Sequence, residues 1–164
     1  MANATPQAVV EKVVSVLRNN LTDINTRRAE RGGTFVFDDF PHDAAASPRV
    51  GVMEIDSPWR FGSIPTAMIC DARLEIVVVM DASDKFDYNN DGVAETPEQC
   101  CAYVADQVMQ ILHDNMYLRS ALSSIDESIV GFAVLGSPRI IRSNGKIFRY
   151  IDCNVKIERG MSGD

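Results

Sequence analysis

Apolar residues recur at Val9, Val10, Val13, Val14, Leu17, Leu21 and Ile24. Spacings of three and four place them on one stripe of a helix. Thr5 can cap the free amides of such a helix and Pro6, lacking an N–H, suits its first position. The pattern predicts a helix over 6–28, closed by Gly32-Gly33. A short strand follows at 34–38, then a loop from Asp39 to Ser47 and a second strand from Pro48 to Asp56. Pro58, Gly62 and Pro65 break the pattern and predict irregular chain around Trp59 and Phe61. Two large aromatic side chains in such a stretch either plug the core or face a partner. The reading here favours packing.

The strongest strand lies within Met68 to Met80, where Leu74-Glu75-Ile76-Val77-Val78-Val79-Met80 becomes apolar on both faces, as a central, doubly covered strand does. A polar loop spans 81–96. Thr96-Pro97-Glu98-Gln99 then reads as a capping box that opens a helix, with apolar positions Cys101, Val104, Ala105, Val108, Ile111 and Leu112 and an end at Asp114-Asn115. Residues 116–127 leave room for a further short turn or helix. Strands are predicted at Ile129–Leu135, resuming at Pro138–Arg142, and at 147–158, joined by a hairpin at Ser143-Asn144-Gly145-Lys146. In the last strand Ile151, Cys153, Val155 and Ile157 face one way, and Tyr150, Asp152, Asn154 and Lys156 the other. The order predicts an α+β fold with a mixed, mostly antiparallel sheet and two main helices on one face. The 164 residues suit one domain, its core at about 6–158, with loop excursions at 39–70 and 81–96.

Composition narrows the chemistry. An apolar fraction of 46% and a charged fraction of 24% are ordinary for a globular chain and exclude wholesale disorder. No apolar run approaches membrane-spanning length, and residues 1–5 lack the basic and apolar regions of a signal peptide. The net charge of −7 argues against wrapping of duplex DNA and against specific nucleic-acid recognition. Arg27, Arg28 and Arg31 enclose Glu30 and read as a solvated helix end. The cysteines Cys70, Cys100, Cys101 and Cys153 show no zinc-type spacing and read as buried, reduced thiols. His42 and His113 stand apart from any nucleophile motif, and none of the phosphate, dinucleotide, hydrolase or zinc-protease motifs is present. The expectation is a chain that is not an enzyme.

One motif carries specific chemistry. Asp87-Tyr88-Asn89-Asn90-Asp91-Gly92-Val93-Ala94-Glu95-Thr96-Pro97-Glu98 follows a twelve-residue calcium loop. Asp87, Asn89, Asp91, Glu95 and Glu98 hold the side-chain ligand positions, Gly92 the sharp turn, and Val93 the position that offers a backbone carbonyl. A hard cation needs oxygens wrapped around it, and alternate residues of a tight loop point inward. The preceding segment reads as strand, so this is an isolated calcium loop inserted in another fold and not a full EF-hand. The other reading is a hydrated acidic loop with no ion.

The layout as a whole runs from the long first helix through Phe40-Pro41, Arg49-Val50-Gly51-Val52 and the strand Leu74 to Met80. It continues through Val104-x-x-x-Val108-x-x-Ile111-Leu112 and Leu118-x-x-x-Leu122 to Ile129–Leu135 and the closing hairpin. Over residues 6–158 it resembles the small tail terminator (tail completion) proteins of long-tailed bacterial and archaeal viruses. That resemblance implies a virion protein of the tail or neck, assembled in the host cytoplasm. It would form a homo-oligomeric ring, a hexamer in such proteins, that stops tail-tube growth and meets the tail tube protein and the head–tail connector protein. Under it the 39–65 loops and the final hairpin are the contact surfaces, with Trp59 and Phe61 as anchors, since aromatic residues enrich interface cores. The alternatives are another neck or head–tail joining protein, a calcium-dependent binding module, and an enzyme with spatially assembled residues.

Overall fold

The computed structural model describes residues 5–25, 35–41, 47–61, 67–115 and 129–160. The elements run α1 (Pro6–Asn20), β1 (Val36–Phe37), β2 (Arg49–Asp56), β3 (Trp59–Phe61), β4 (Ala67–Asp81), α2 (Pro97–Asp114), β5 (Ile129–Ser143) and β6 (Lys146–Gly160). The strands form one sheet in the order β1-β2-β4-β6-β5, with β3 pairing the early part of β4 on the same edge as β2. All pairs are antiparallel except β1 with β2. The fold is α+β, as the pattern predicts.

Thr5 caps α1 by accepting from the Ala8 N–H at 3.1 Å, and the helix buries Val9, Val10, Val13, Val14 and Leu17. It ends at Asn20, a little over two turns before the predicted end. Leu21 is extended at ψ 129°, yet Leu21 and Ile24 stay in the core. The apolar spacing there records burial of a non-helical segment. That segment is held by local and cross-chain polar bonds: the Asp23 carboxylate accepts from the Asn25 N–H at 2.9 Å, and the Asn25 amide donates to the Ser47 carbonyl at 3.0 Å. Gly32-Gly33, the 116–127 segment and most of the 39–47 loop lie outside the described residues.

β4 is central and pairs with β6 from Ala67↔Gly160 to Asp81↔Lys146. Its alternate residues Cys70, Ala72, Leu74, Ile76, Val78 and Met80 join Ile147, Ile151, Cys153, Val155 and Ile157 of β6 in the core beneath the two helices. Each such aliphatic side chain contributes about 1.5–3 kcal/mol on burial. Val77 and Val79 point to the opposite face and are buried as well. The Asp39–Pro41 segment crosses that face over Gly51, where a Cβ would lie 2.5 Å from the Asp39 carbonyl and 2.6 Å from Pro41 Cδ. Phe40 stacks on Phe148 at 6.4 Å, and Phe148 on Tyr150 at 6.2 Å. Because Phe148 and Tyr150 oppose Val79 and Val77 across the ladder, this aromatic row shields them.

The β5–β6 hairpin turns on Asn144 and Gly145, with φ of 52° and 71°, the left-handed pair that Asn-Gly adopts readily. Its two strands are longer than predicted. An irregularity in β5 at Leu135/Arg139 separates the two apolar runs of the sequence, and a second lies at the start of the strand, at Ile129/Gly131. No described helix is long and apolar enough to cross a membrane.

Candidate metal loop and contact surfaces

The loop after β4 is closed by a bridge between Phe86 and Glu95, the Glu95 N–H donating to the Phe86 carbonyl at 3.1 Å. Within it Asn90 and Gly92 take positive φ, 55° and 85°, and the chain reverses there. Asp87 sits at the centre of the turn, accepting from the Asp91 N–H at 3.2 Å and the Gly92 N–H at 2.9 Å. Asp91 accepts from the Val93 N–H at 2.9 Å. Glu95 accepts from the Tyr88 N–H at 3.1 Å and the Asn89 amide at 2.9 Å. Oxygens of Asp87, Asp91 and Glu95 all lie within 4.8 Å of one another. Ligands at 2.3–2.6 Å from one calcium ion stand no farther apart than about twice that distance, so this donor set fits a hard cation.

Glu98 is placed otherwise than the loop pattern predicts. Thr96 accepts from the Gln99 N–H at 3.3 Å and Gln99 reaches back to the Thr96 N–H at 3.0 Å, the capping box the sequence announces. That cap starts α2 at Pro97 and puts Glu98 in its first turn. There its carboxylate takes the fork of Arg142 from β5, with Nη2 at 2.6 Å and Nε also bonded. The Arg142 hydrogen bonds hold the Glu98 carboxyl below its ordinary range. The three converging carboxylates therefore come from Asp87, Asp91 and Glu95, while Asn89 turns its amide N–H to Glu95 and Val93 leaves its side chain exposed. Tyr88 stacks on Tyr103 of α2 at 4.1 Å and fixes the loop against the helix.

All four cysteines are free and buried. Burial pushes the thiols of Cys101 and Cys153 up to about 12, so they remain protonated and unreactive. This is the buried-thiol role the sequence suggests. His113 lies exposed in the last turn of α2, and His42 and the Arg27–Arg31 group lie outside the described residues.

Trp59 and Phe61 correct the packing expectation. They form β3, opposite Cys70 and Met68, and are 36% and 68% exposed. They stand at the β2–β3 margin of the sheet, where Glu54, Ile55 and Asp56 are exposed as well. At the opposite margin, β5 exposes Arg139, Ile140, Ile141 and Arg142 in a row. Arg139 reaches Glu75 at 3.3 Å and lies 4.8 Å over the Tyr150 ring. The final hairpin is one of the contact surfaces the resemblance implies, and this row lies on its edge strand, although an apolar pair in a strand read alone suggests burial. The signal was charge: no acidic residue occurs between Glu127 and Asp152, whereas Arg139, Arg142, Lys146 and Arg149 all do.

No protein-family model matches the chain, and no curated protein matches its sequence. Among solved structures, it is similar to a chain of a structure described as the virion of a native gene transfer agent particle. The identity is 15%, the likeness covers 90% of this chain and 92% of that one, and the TM-score is 0.47.

Proposed function

We propose that the chain is a structural virion protein that assembles into a ring, ends the tail tube and joins it to the head–tail connector. The observation that carries this reading is where five of the seven large exposed apolar side chains among the described residues sit, Phe40 and Val93 being the other two. Trp59 and Phe61 on β3, Ile55 on β2, and Ile140 and Ile141 on β5 lie along the two margins of the sheet. Apolar groups in water at both margins suit a subunit with a neighbour on each side. The order of elements also agrees with the plan of the tail terminator proteins that the sequence resembles, with both helices on one face and a long closing hairpin. In this reading Trp59 and Phe61 anchor a contact, no catalysis is involved, and calcium bound by Asp87, Asp91 and Glu95 braces the start of α2.

Light scattering after size exclusion, in calcium and then in chelator, tests it. A particle of about 109 kDa, six times 18.1 kDa, is the expected result. Trp59→Ala and Phe61→Ala are expected to reduce that mass while leaving thermal unfolding of the subunit nearly unchanged. A monomer at every concentration, with or without calcium and with purified tail tubes added, would refute the ring.

A further inference from the structure

Resting on that reading, we infer that neighbouring copies join edge to edge, the 139–143 stretch of β5 in one copy pairing antiparallel with the 53–57 stretch of the next. Three observations converge on it.

The first is that, among the described residues, neither edge has a strand paired along these stretches, although Asp38 and Asp39 lie beside Met53, Glu54 and Ile55. β5 ends the sheet order, and no described strand pairs with its outer side. At the other margin β1 pairs only with Val50 and Gly51, which leaves the outer side of β2 from Val52 onward without a described strand. A long uncovered edge presents a row of backbone donors and acceptors and is a template for another strand.

The second is direction. β2, β4, β6 and β5 alternate antiparallel across the sheet. A copy placed beside β5 in the same orientation therefore presents its β2 antiparallel to β5. Its helices also stay on the same side of the continued sheet, so the contact is heterologous and can repeat.

The third is charge. The β5 edge reads Arg139-Ile140-Ile141-Arg142 and the β2 edge Glu54-Ile55-Asp56. Each has an apolar centre flanked by charge, and the signs are opposite. All seven side chains are exposed, Arg139 and Arg142 by 61% and 57%. Bonds to Glu75 and to Glu98 hold these side chains in place on the edge. β2 bulges between Glu54 and Asp56; setting Ile141 opposite Ile55 at that bulge puts Arg142 opposite Glu54, an apolar pair beside an ion pair. The Leu135/Arg139 irregularity, with Pro138 in it, interrupts the regular pairing along β5 and bounds the 139–143 stretch.

Cross-linking reads this register directly. Ile55→Cys and Ile141→Cys are made singly, mixed and oxidised. Directly opposed strand positions bring Cβ atoms near the span of a disulfide, and the four native thiols are buried. The expected product is a dimer whose peptide map links position 55 to position 141, and the double variant gives a ladder of linked subunits. Glu54→Lys, an exposed change, is expected to weaken self-association about tenfold by setting like charges together. Particles of ring mass that give no 55–141 link, or only 55–55 and 141–141 links, would overturn edge pairing and leave the ring standing. A protein that remains monomeric and gives no link would overturn both.

Discussion

Gly51→Ala is a one-carbon change that probes how the second face of the sheet is covered. The new Cβ would lie 2.5 Å from the Asp39 carbonyl oxygen and 2.6 Å from Pro41 Cδ. One neighbour is backbone and the other a proline ring, so neither can rotate aside. The Asp39–Pro41 segment must retreat by at least about 0.5 Å to reach the 3.0 Å below which such contacts essentially never occur. Retreat loosens the Phe40–Phe148 stack and opens the cover over Val77. Two terms of opposite sign compete. Alanine in place of glycine in a strand gains about 0.5–1 kcal/mol through the unfolded chain. Overpacking costs about 1–3 kcal/mol. Rigid neighbours place the cost in the upper half of that range, so the expected net loss is about 1–2.5 kcal/mol. Urea unfolding followed by far-UV circular dichroism measures it, and faster hydrogen exchange at the Phe40 amide would accompany it. Pro41→Ala removes one of the two obstacles, so the double variant is expected to lose less than the sum of the singles. A Gly51→Ala protein as stable as the parent would refute the placement of this segment.

Thr96→Ala removes the cap of α2 and is expected to cost about 1 kcal/mol in urea unfolding. An unchanged midpoint would count against the capping box. The Glu98–Arg142 pair depresses the folded-state value of a carboxyl whose ordinary value is 4.5, so its stabilisation is present above that pH and is lost as pH falls through the folded value. Glu98→Gln is therefore expected to be less stable than the parent at pH 7, with the gap closing in acid; a gap independent of pH would sink the assignment. Calcium titrated into the chelated protein is expected to raise the thermal midpoint, by the equivalent of about 2.7 kcal/mol at one hundred times the dissociation constant. Asp87→Asn should abolish the rise, and no response at millimolar calcium would show that the loop holds no ion.

Linear pattern suffices for the elements whose burial and local chemistry agree. α2 was legible from Thr96 to Asp114 because cap, proline and apolar stripe point to one start and one register. The Asn144-Gly145 turn and the alternation of β6 were legible for the same reason. The turn needs residues that tolerate positive φ, and strand side chains repeat every second residue. Tertiary structure decided the places where one local signal serves two masters. Leu21 and Ile24 continue the helical spacing but are buried from non-helical chain, where Asp23 accepts a local bond from Asn25 and the Asn25 amide ties the segment to Ser47, just before β2. Glu98 occupies the twelfth position of a calcium loop, but the α2 cap and Arg142, 44 residues away in the chain, claim its carboxylate. Trp59, Phe61, Ile140 and Ile141 look like core residues in a linear reading. Only the strand order places them at the margins, because exposure of a strand residue depends on which strands and helices lie beside it, and those neighbours are distant in sequence.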